Sequence, residues 1–235
     1  MSVDRAVQRP VKAVIFDLDG TLVHSAPDIH AAAVRLLGER GHQGPDLATV
    51  TGFVGNGVPA LVERLLAWAK EAVDPSALKA AIGRFHQIYN EAPSALSELY
   101  DGVSGTLETL SAAGLRLGVC TNKPLVPARQ LLADLGIDGY IEVLVGGDSL
   151  PQRKPDPRPL LHAAEGLGVA PEAIVFVGDS EVDAATAQAA GVLFALFAEG
   201  YRKSPLAMIP HQTSFSQYGQ LHSRVVELAG AEGLK

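Results

Sequence analysis

Two aspartates one residue apart, Asp17 and Asp19, close an apolar run from Val11 to Phe16, and Gly20 follows them. Short apolar runs stopped by a breaker read as buried strands of a parallel sheet covered on both faces. The acids then stand just past a strand's carboxyl end, where open α/β sheets bind ligands. A buried strand that aims two carboxylates at one point needs a cation or a proton to compensate them. A helix cap or an Asx turn explains one such acid, but capping alone does not explain two. Other polar groups follow later apolar runs in the same way: Thr121, Asn122 and Lys123 after one, Asp179 and Asp183 after another. Asp17, Asp19, Thr121, Asp179 and Asp183 are therefore expected to converge on one sheet edge. Lys154 lies in Arg153-Lys154-Pro155-Asp156-Pro157, where prolines restrict the backbone. In isolation such a lysine reads as solvated. Beside four carboxylates it neutralises charge and donates hydrogen bonds to a phosphoryl group. Thr121 reads either as a helix cap or as a phosphate ligand at a strand end.

The elements that must position these groups follow from periodicity. After Thr21, helical spacing covers Pro27 to Arg40, Val58 to Glu71 and Pro75 to Asn90, with no strand pattern between His24 and roughly Pro93. From Asp101 onward helix and strand alternate. Helices are expected at Thr106–Ala113, Pro127–Leu135, Pro157–Gly166, Asp183–Ala190 and Tyr218–Ala229. Strands are expected at Leu115–Cys120, Ile141–Val145, Ala173–Val177 and Val192–Phe197. This alternation implies right-handed crossovers and a parallel sheet between helical layers, an α/β fold. A strand–helix–strand crossover takes about 30 residues, yet about 100 separate Phe16 from Leu115. The surplus of about 70 residues matches the helical block and reads as an all-helical cap domain inserted after the first strand, over the site. The expected boundaries are 1–23 and 95–235 for the core domain and 24–94 for the cap.

Composition narrows the class. The chain has 235 residues, 47% hydrophobic and 19% charged, as a folded globular protein does. A formal charge of −7 without a basic stripe argues against nucleic-acid or anionic-membrane partners. The single cysteine, Cys120, excludes an internal disulfide and suits a reducing compartment. Met1 to Pro10 carries Asp4, Arg5 and Arg9 without the apolar core of a signal peptide, and no apolar run is long enough for a bilayer. A cytoplasmic protein is expected; its oligomeric state has no signature here.

Four segments in order, Asp17-Leu18-Asp19-Gly20-Thr21, Thr121-Asn122, Lys154-Pro155 and Gly178-Asp179-Ser180-x-x-Asp183, resemble the haloacid dehalogenase superfamily. The likeness is to its magnesium-dependent phosphatases with a helical cap and covers essentially the whole chain. Each segment is weak alone; the ordered set is specific. The resemblance implies a Rossmann-like core with the first strand between those ending at Thr121 and Asp179. It implies Asp17 as nucleophile, Asp19 as general acid and base, and Thr121 and Lys154 as ligands of the transferring phosphoryl group. It implies Mg²⁺ held by the Asp17 carboxylate, the Asp19 backbone carbonyl and Asp179, with Thr21 and Asp183 in support. The chemistry is consistent with this. Mg²⁺ takes oxygen ligands and keeps several waters, so two or three acids suffice.

The stretch from Phe53 to Arg64, with Gly55-Asn56-Gly57 at its turn, resembles the cap of bacterial phosphoglycolate phosphatases, and Lys123 after Thr121-Asn122 is typical of them. The substrate implied is a small phosphate monoester, 2-phosphoglycolate, with Gly55, Asn56, Gly57, Asn122 and Lys123 among its contacts. The glycine-rich segment also reads as a plain turn before a helix. His24-Ser25 departs from the Asp-Ser of many relatives. Two other readings stay open: a sugar-phosphate phosphatase or phosphosugar mutase of the same architecture, and a phosphate-binding regulatory protein without catalysis. A mutase calls for a basic residue in the cap loop, which Gly55-Asn56-Gly57-Val58 lacks. A protein without catalysis calls for a missing nucleophile, acid or metal ligand, and none is missing.

Overall fold

A computed structural model describes residues 11–92 and 94–230. The charged segment from Met1 to Pro10 and the residue Pro93 at the expected cap border lie outside the described residues.

Strand β1 (Ala13–Phe16) is short, and all four of its side chains are buried. Alternation sends Val14 and Phe16 to one apolar cluster and Ala13 and Ile15 to another, one on each face of the sheet. Two-sided burial of this kind is what a parallel sheet between helices demands. The chain then makes a two-residue strand β2 (Val23–His24) and enters four helices: α1 (Ala26–Glu39), α2 (Leu47–Phe53), α3 (Val58–Trp68) and α4 (Pro75–Glu91). It returns through β3 (Glu98–Leu99), which pairs antiparallel with β2. The helices enclose a third apolar cluster, in which Leu36, Leu37, Leu65, Leu66 and Phe85 are buried.

The remainder alternates: α5 (Val103–Ala112), β4 (Arg116–Cys120), α6 (Leu125–Asp134), β5 (Val143–Val145), α7 (Arg158–Gly166), β6 (Ile174–Gly178), α8 (Glu181–Ala190), β7 (Leu193–Phe197), β8 (Thr213–Phe215) and α9 (Leu221–Ala229). The sheet order is β5-β4-β1-β6-β7-β8, all parallel. Phe16 pairs in register with Val119 on one side and Val177 on the other. The turns after β1, β4 and β6 therefore open side by side at the switch point of the sheet, where such folds bind ligands. Helices α5, α6 and α9 cover one face, and α7 and α8 the other.

The α/β class and the first strand's central place agree with expectation. Helix α2, the two strands β2 and β3, and strand β8 were not foreseen. Helix α2 has seven residues with only Val50 buried, too short for a periodic signal; Asp46 caps it, accepting from the Thr49 amide at 2.8 Å. The β2–β3 ribbon is two residues a side, below any sequence pattern. Strand β8 is half-polar and acquires its state by pairing with β7.

Candidate active site

Asp17 stays in the sheet through its amide, which donates to Val177 O at 2.8 Å, and its side chain is released at the edge. Gly20, at φ +85°, turns the chain back; a Cβ there would lie 2.6 Å from Asp179 Oδ2 and 2.7 Å from the Tyr201 ring. Only glycine allows both the turn and the contact. Thr21 Oγ1 donates to Asp179 Oδ1 at 2.7 Å, and the Tyr201 amide to Asp179 Oδ2 at 2.6 Å. Asp183 is fixed by the start of α8. Its Oδ2 accepts from Ser180 Oγ at 2.6 Å and from the Ser180 amide at 3.1 Å, a capping box. Its Oδ1 accepts from Lys154 Nζ at 2.6 Å.

Lys154 Nζ also lies 2.8 Å from Asp17 Oδ1, but that oxygen meets no donor in hydrogen-bond geometry. It is buried. Oxygens of Asp17, Asp179 and Asp183 all lie within 4.8 Å of one another. Burial first, then the neighbouring Asp183, pushes the Asp17 carboxyl up to about 7 against the pull of Lys154. Burial and the charges of Asp183 and Asp17 raise Asp179 well above the usual range. Lys154 is also raised: burial opposes its charge, and Asp17 and Asp183 outweigh that. Around this point four acidic side chains, with Asp19, face two ammonium groups, so the acids outnumber the cations. A buried carboxylate oxygen without a donor in hydrogen-bond geometry, inside a cluster of acids, suits a hard divalent cation. Both oxygens of Asp179 and of Asp183 already accept hydrogen bonds, and a carboxylate oxygen that accepts one keeps a further lone pair for a cation.

Asp19 is gripped from two sides. Ser25 Oγ donates to its Oδ1 at 2.5 Å, and Lys123 Nζ lies 3.0 Å from the same oxygen. Lys123 Nζ donates onward to the Tyr89 hydroxyl of α4 at 2.7 Å and stands 4.5 Å from that ring's centre. Burial disfavours this ammonium, but Asp19 and Tyr89 outweigh it and raise its pKa. Thr121 follows β4, its amide donating to Val145 O at 3.0 Å, and its Oγ1 accepts from the Lys123 amide at 3.2 Å. Asn122 acts as a clamp. Its Nδ2 donates to Gly55 O at 2.8 Å and Lys154 O at 3.0 Å, and its Oδ1 accepts from the Lys154 amide at 3.0 Å.

Helices α1, α3 and α4 roof this edge. A cavity of about 60 Å³ runs from Asp17, Asp19, Thr121, Asn122 and Lys123 to Gly55, Gly57, His86 and Tyr89, with Ile29, Val54, Val58, Leu61 and Phe85 as its apolar wall. The sequence-expected residues thus come together, except Asn56. Its Oδ1 accepts from Arg64 Nη2 at 2.8 Å, so it braces the loop and does not line the cavity. Sequence reasoning missed Tyr89, His86 and Tyr201. The first two sit three apart on one face of α4, a spacing that carries a signal only once that face is known to overlie the site. Tyr201 follows Gly200 after β7, and its hydroxyl, accepting from the Ala26 amide at 3.0 Å, joins the Asp179 side of the site to the start of α1.

A parallel sheet whose central strand ends in paired aspartates, with an ammonium bridging two acids beside them, defines a hydrolase of the haloacid dehalogenase type. The chain belongs to the haloacid dehalogenase-like hydrolase family, whose profile matches residues 11–191. Among relatives, a phosphoglycolate phosphatase of Cereibacter sphaeroides is 50% identical over 208 residues, which is 88% of this chain and 94% of that one. One of Rhodospirillum rubrum is 44% identical over 214 residues, 89% of each chain. A crystal structure of a predicted phosphoglycolate phosphatase from Haemophilus somnus superposes with a TM-score of 0.86 at 32% identity, covering 91% of this chain and 97% of that one. Among the described residues no helix is long and apolar enough to cross a membrane.

Proposed function

We propose that this hydrolase converts 2-phosphoglycolate to glycolate and inorganic phosphate through a phosphoryl group carried on Asp17. The observation that carries this reading is the buried Asp17 carboxylate, whose Oδ1 lies 2.8 Å from Lys154 Nζ, lining a small roofed cavity. The names of the relatives supply the substrate.

An Asp17 oxygen attacks phosphorus in line with the ester oxygen. The phosphorus–ester bond breaks, and the leaving alkoxide takes a proton from Asp19. Asp19, now a carboxylate, takes a proton from a water that attacks the phosphoryl group, releasing phosphate and restoring Asp17. Ser25 and Lys123 hold Asp19 in place for both transfers. Lys154 offsets charge on the nucleophile, and Thr121, which lines the cavity, would bind the phosphoryl group through its hydroxyl. Asp17, Asp179 and the Asp19 backbone carbonyl are the residues that would hold Mg²⁺, with Thr21 and Asp183 fixing the acids around them. When bound, the ion supplies positive charge against the phosphoryl oxygens. Lys123, whose ammonium is engaged by both Asp19 oxygens and by Tyr89, lines the cavity and sets positive charge beside an anionic substrate group.

Residues 24–94 are assigned as the cap, and its apolar wall favours a compact ester over a hydroxyl-rich sugar, whose hydroxyls lose their water there without partners. The test is a panel of small phosphate monoesters with Mg²⁺, ranked by kcat/KM. 2-Phosphoglycolate should exceed glucose 6-phosphate by at least about tenfold, roughly 1.4 kcal/mol of transition-state discrimination. Faster hydrolysis of hexose phosphates would overturn the substrate and leave the phosphatase class intact.

A further inference from the structure

The polar side chains around the cavity are almost all engaged. Asp19 is held by Ser25 and Lys123, Lys123 by Asp19 and Tyr89, and Asn122 by Gly55 and Lys154. His86 differs. It is half-buried, lines the same cavity, and its ring makes no hydrogen bond or ion pair among the described residues. It lies three residues before Tyr89 on α4, so both project from one helix face. The wall around it is apolar, with Phe85 on the same helix and Val58 and Leu61 on α3. Two core charges act on the ring from across the seam, Asp148 and Arg153, in opposite senses, while burial, the largest influence, favours its neutral form. A neutral imidazole still offers one N–H donor.

Resting on the reading of the substrate as 2-phosphoglycolate, we propose that His86 is the specificity residue of the cap, donating a hydrogen bond to the substrate carboxylate from the roof of the cavity that Asp17 also lines. The phosphate is bound at the sheet edge, so the carboxylate, two carbons away, extends towards the roof. There an imidazole is the polar group not already engaged. In an otherwise apolar wall this contact discriminates strongly, because an anion without a donor there would be desolvated and unpaired. A carbohydrate or an unsubstituted alkyl ester gains nothing from it.

The experiment compares 2-phosphoglycolate with ethyl phosphate, which keeps the two-carbon frame and lacks the carboxylate, in wild type, His86→Ala and His86→Gln. His86→Ala should lower kcat/KM for 2-phosphoglycolate by about tenfold or more, the scale of a hydrogen bond to a charged group. Ethyl phosphate turnover should stay within about threefold. His86→Gln, which restores an N–H donor, should recover part of the loss and keeps the test valid if the alanine variant folds poorly. Equal losses on both esters, or none on 2-phosphoglycolate, would overturn the role of His86 while leaving the substrate reading standing. A wild type that does not favour 2-phosphoglycolate over ethyl phosphate would overturn both.

Discussion

Lys123 on the core side and Tyr89 on helix α4 share a hydrogen bond of 2.7 Å, and the same ammonium lies 3.0 Å from Asp19. A buried ammonium is tolerated only where its donors are met. The roof helix and the acid–base carboxylate are thus tied through one atom, and the roof's position bears directly on Asp19.

Tyr89→Phe removes the hydroxyl and keeps the ring stacked on Phe85. It leaves a buried cation short of an acceptor, a loss of about 1.5–3 kcal/mol for hydrogen bonds to charged groups. Part of this should appear as a lower thermal midpoint and part as a fall of about tenfold in kcat/KM, since the ammonium that braces Asp19 loses its own anchor. Wild-type kinetics in a destabilised variant would show that the bond serves stability alone.

Asp17→Asn keeps the shape at the end of β1 and removes the nucleophile, so the fold should persist and turnover should vanish. The same variant reads out the buried charge. In chelated protein the folded chain holds the Asp17 proton more tightly than the unfolded chain, because burial raises this carboxyl from 3.8 to about 7. The resulting stability is complete below 3.8 and is lost as pH rises to about 7. The thermal midpoint of Asp17→Asn relative to wild type should therefore climb across that window. A difference that stays flat with pH would contradict the burial argument.

Asp19→Asn and Asp179→Asn separate proton transfer from metal binding. The first keeps its backbone carbonyl, so Mg²⁺ affinity by calorimetry should survive while the chemical step slows by about 10²–10⁴. The second removes a carboxylate that Thr21 and Tyr201 hold in place, so affinity itself should fall. Matching losses of affinity in the two variants would refute this division.

Chelation should abolish turnover and Mg²⁺ should restore it. Ca²⁺ should bind yet inhibit, because its longer, looser coordination shell misplaces nucleophile and ester. Full activity after exhaustive chelation would remove the ion from the reaction.

What the chain determines locally was legible before any contact was known. Apolar runs stopped by acids or glycine mark the strand ends, and the four polar segments mark the site because each is only a few residues long. The Ser180–Asp183 capping box is local too, built within one helical turn. Tertiary structure alone decided the rest. Asp19 with Lys123, Asn122 with Gly55, Asp179 with Tyr201 and Lys123 with Tyr89 join residues 22 to 104 positions apart. No periodicity encodes such pairs; they exist because packing brings surfaces together and buried polar groups must find partners wherever these surfaces meet. The same holds for Asn56, whose place beside the site in the chain gives way to Arg64, a donor two turns along its own roof helix. The type of each reactive group is written in its own few residues, but its partner is set by geometry that only the folded chain possesses.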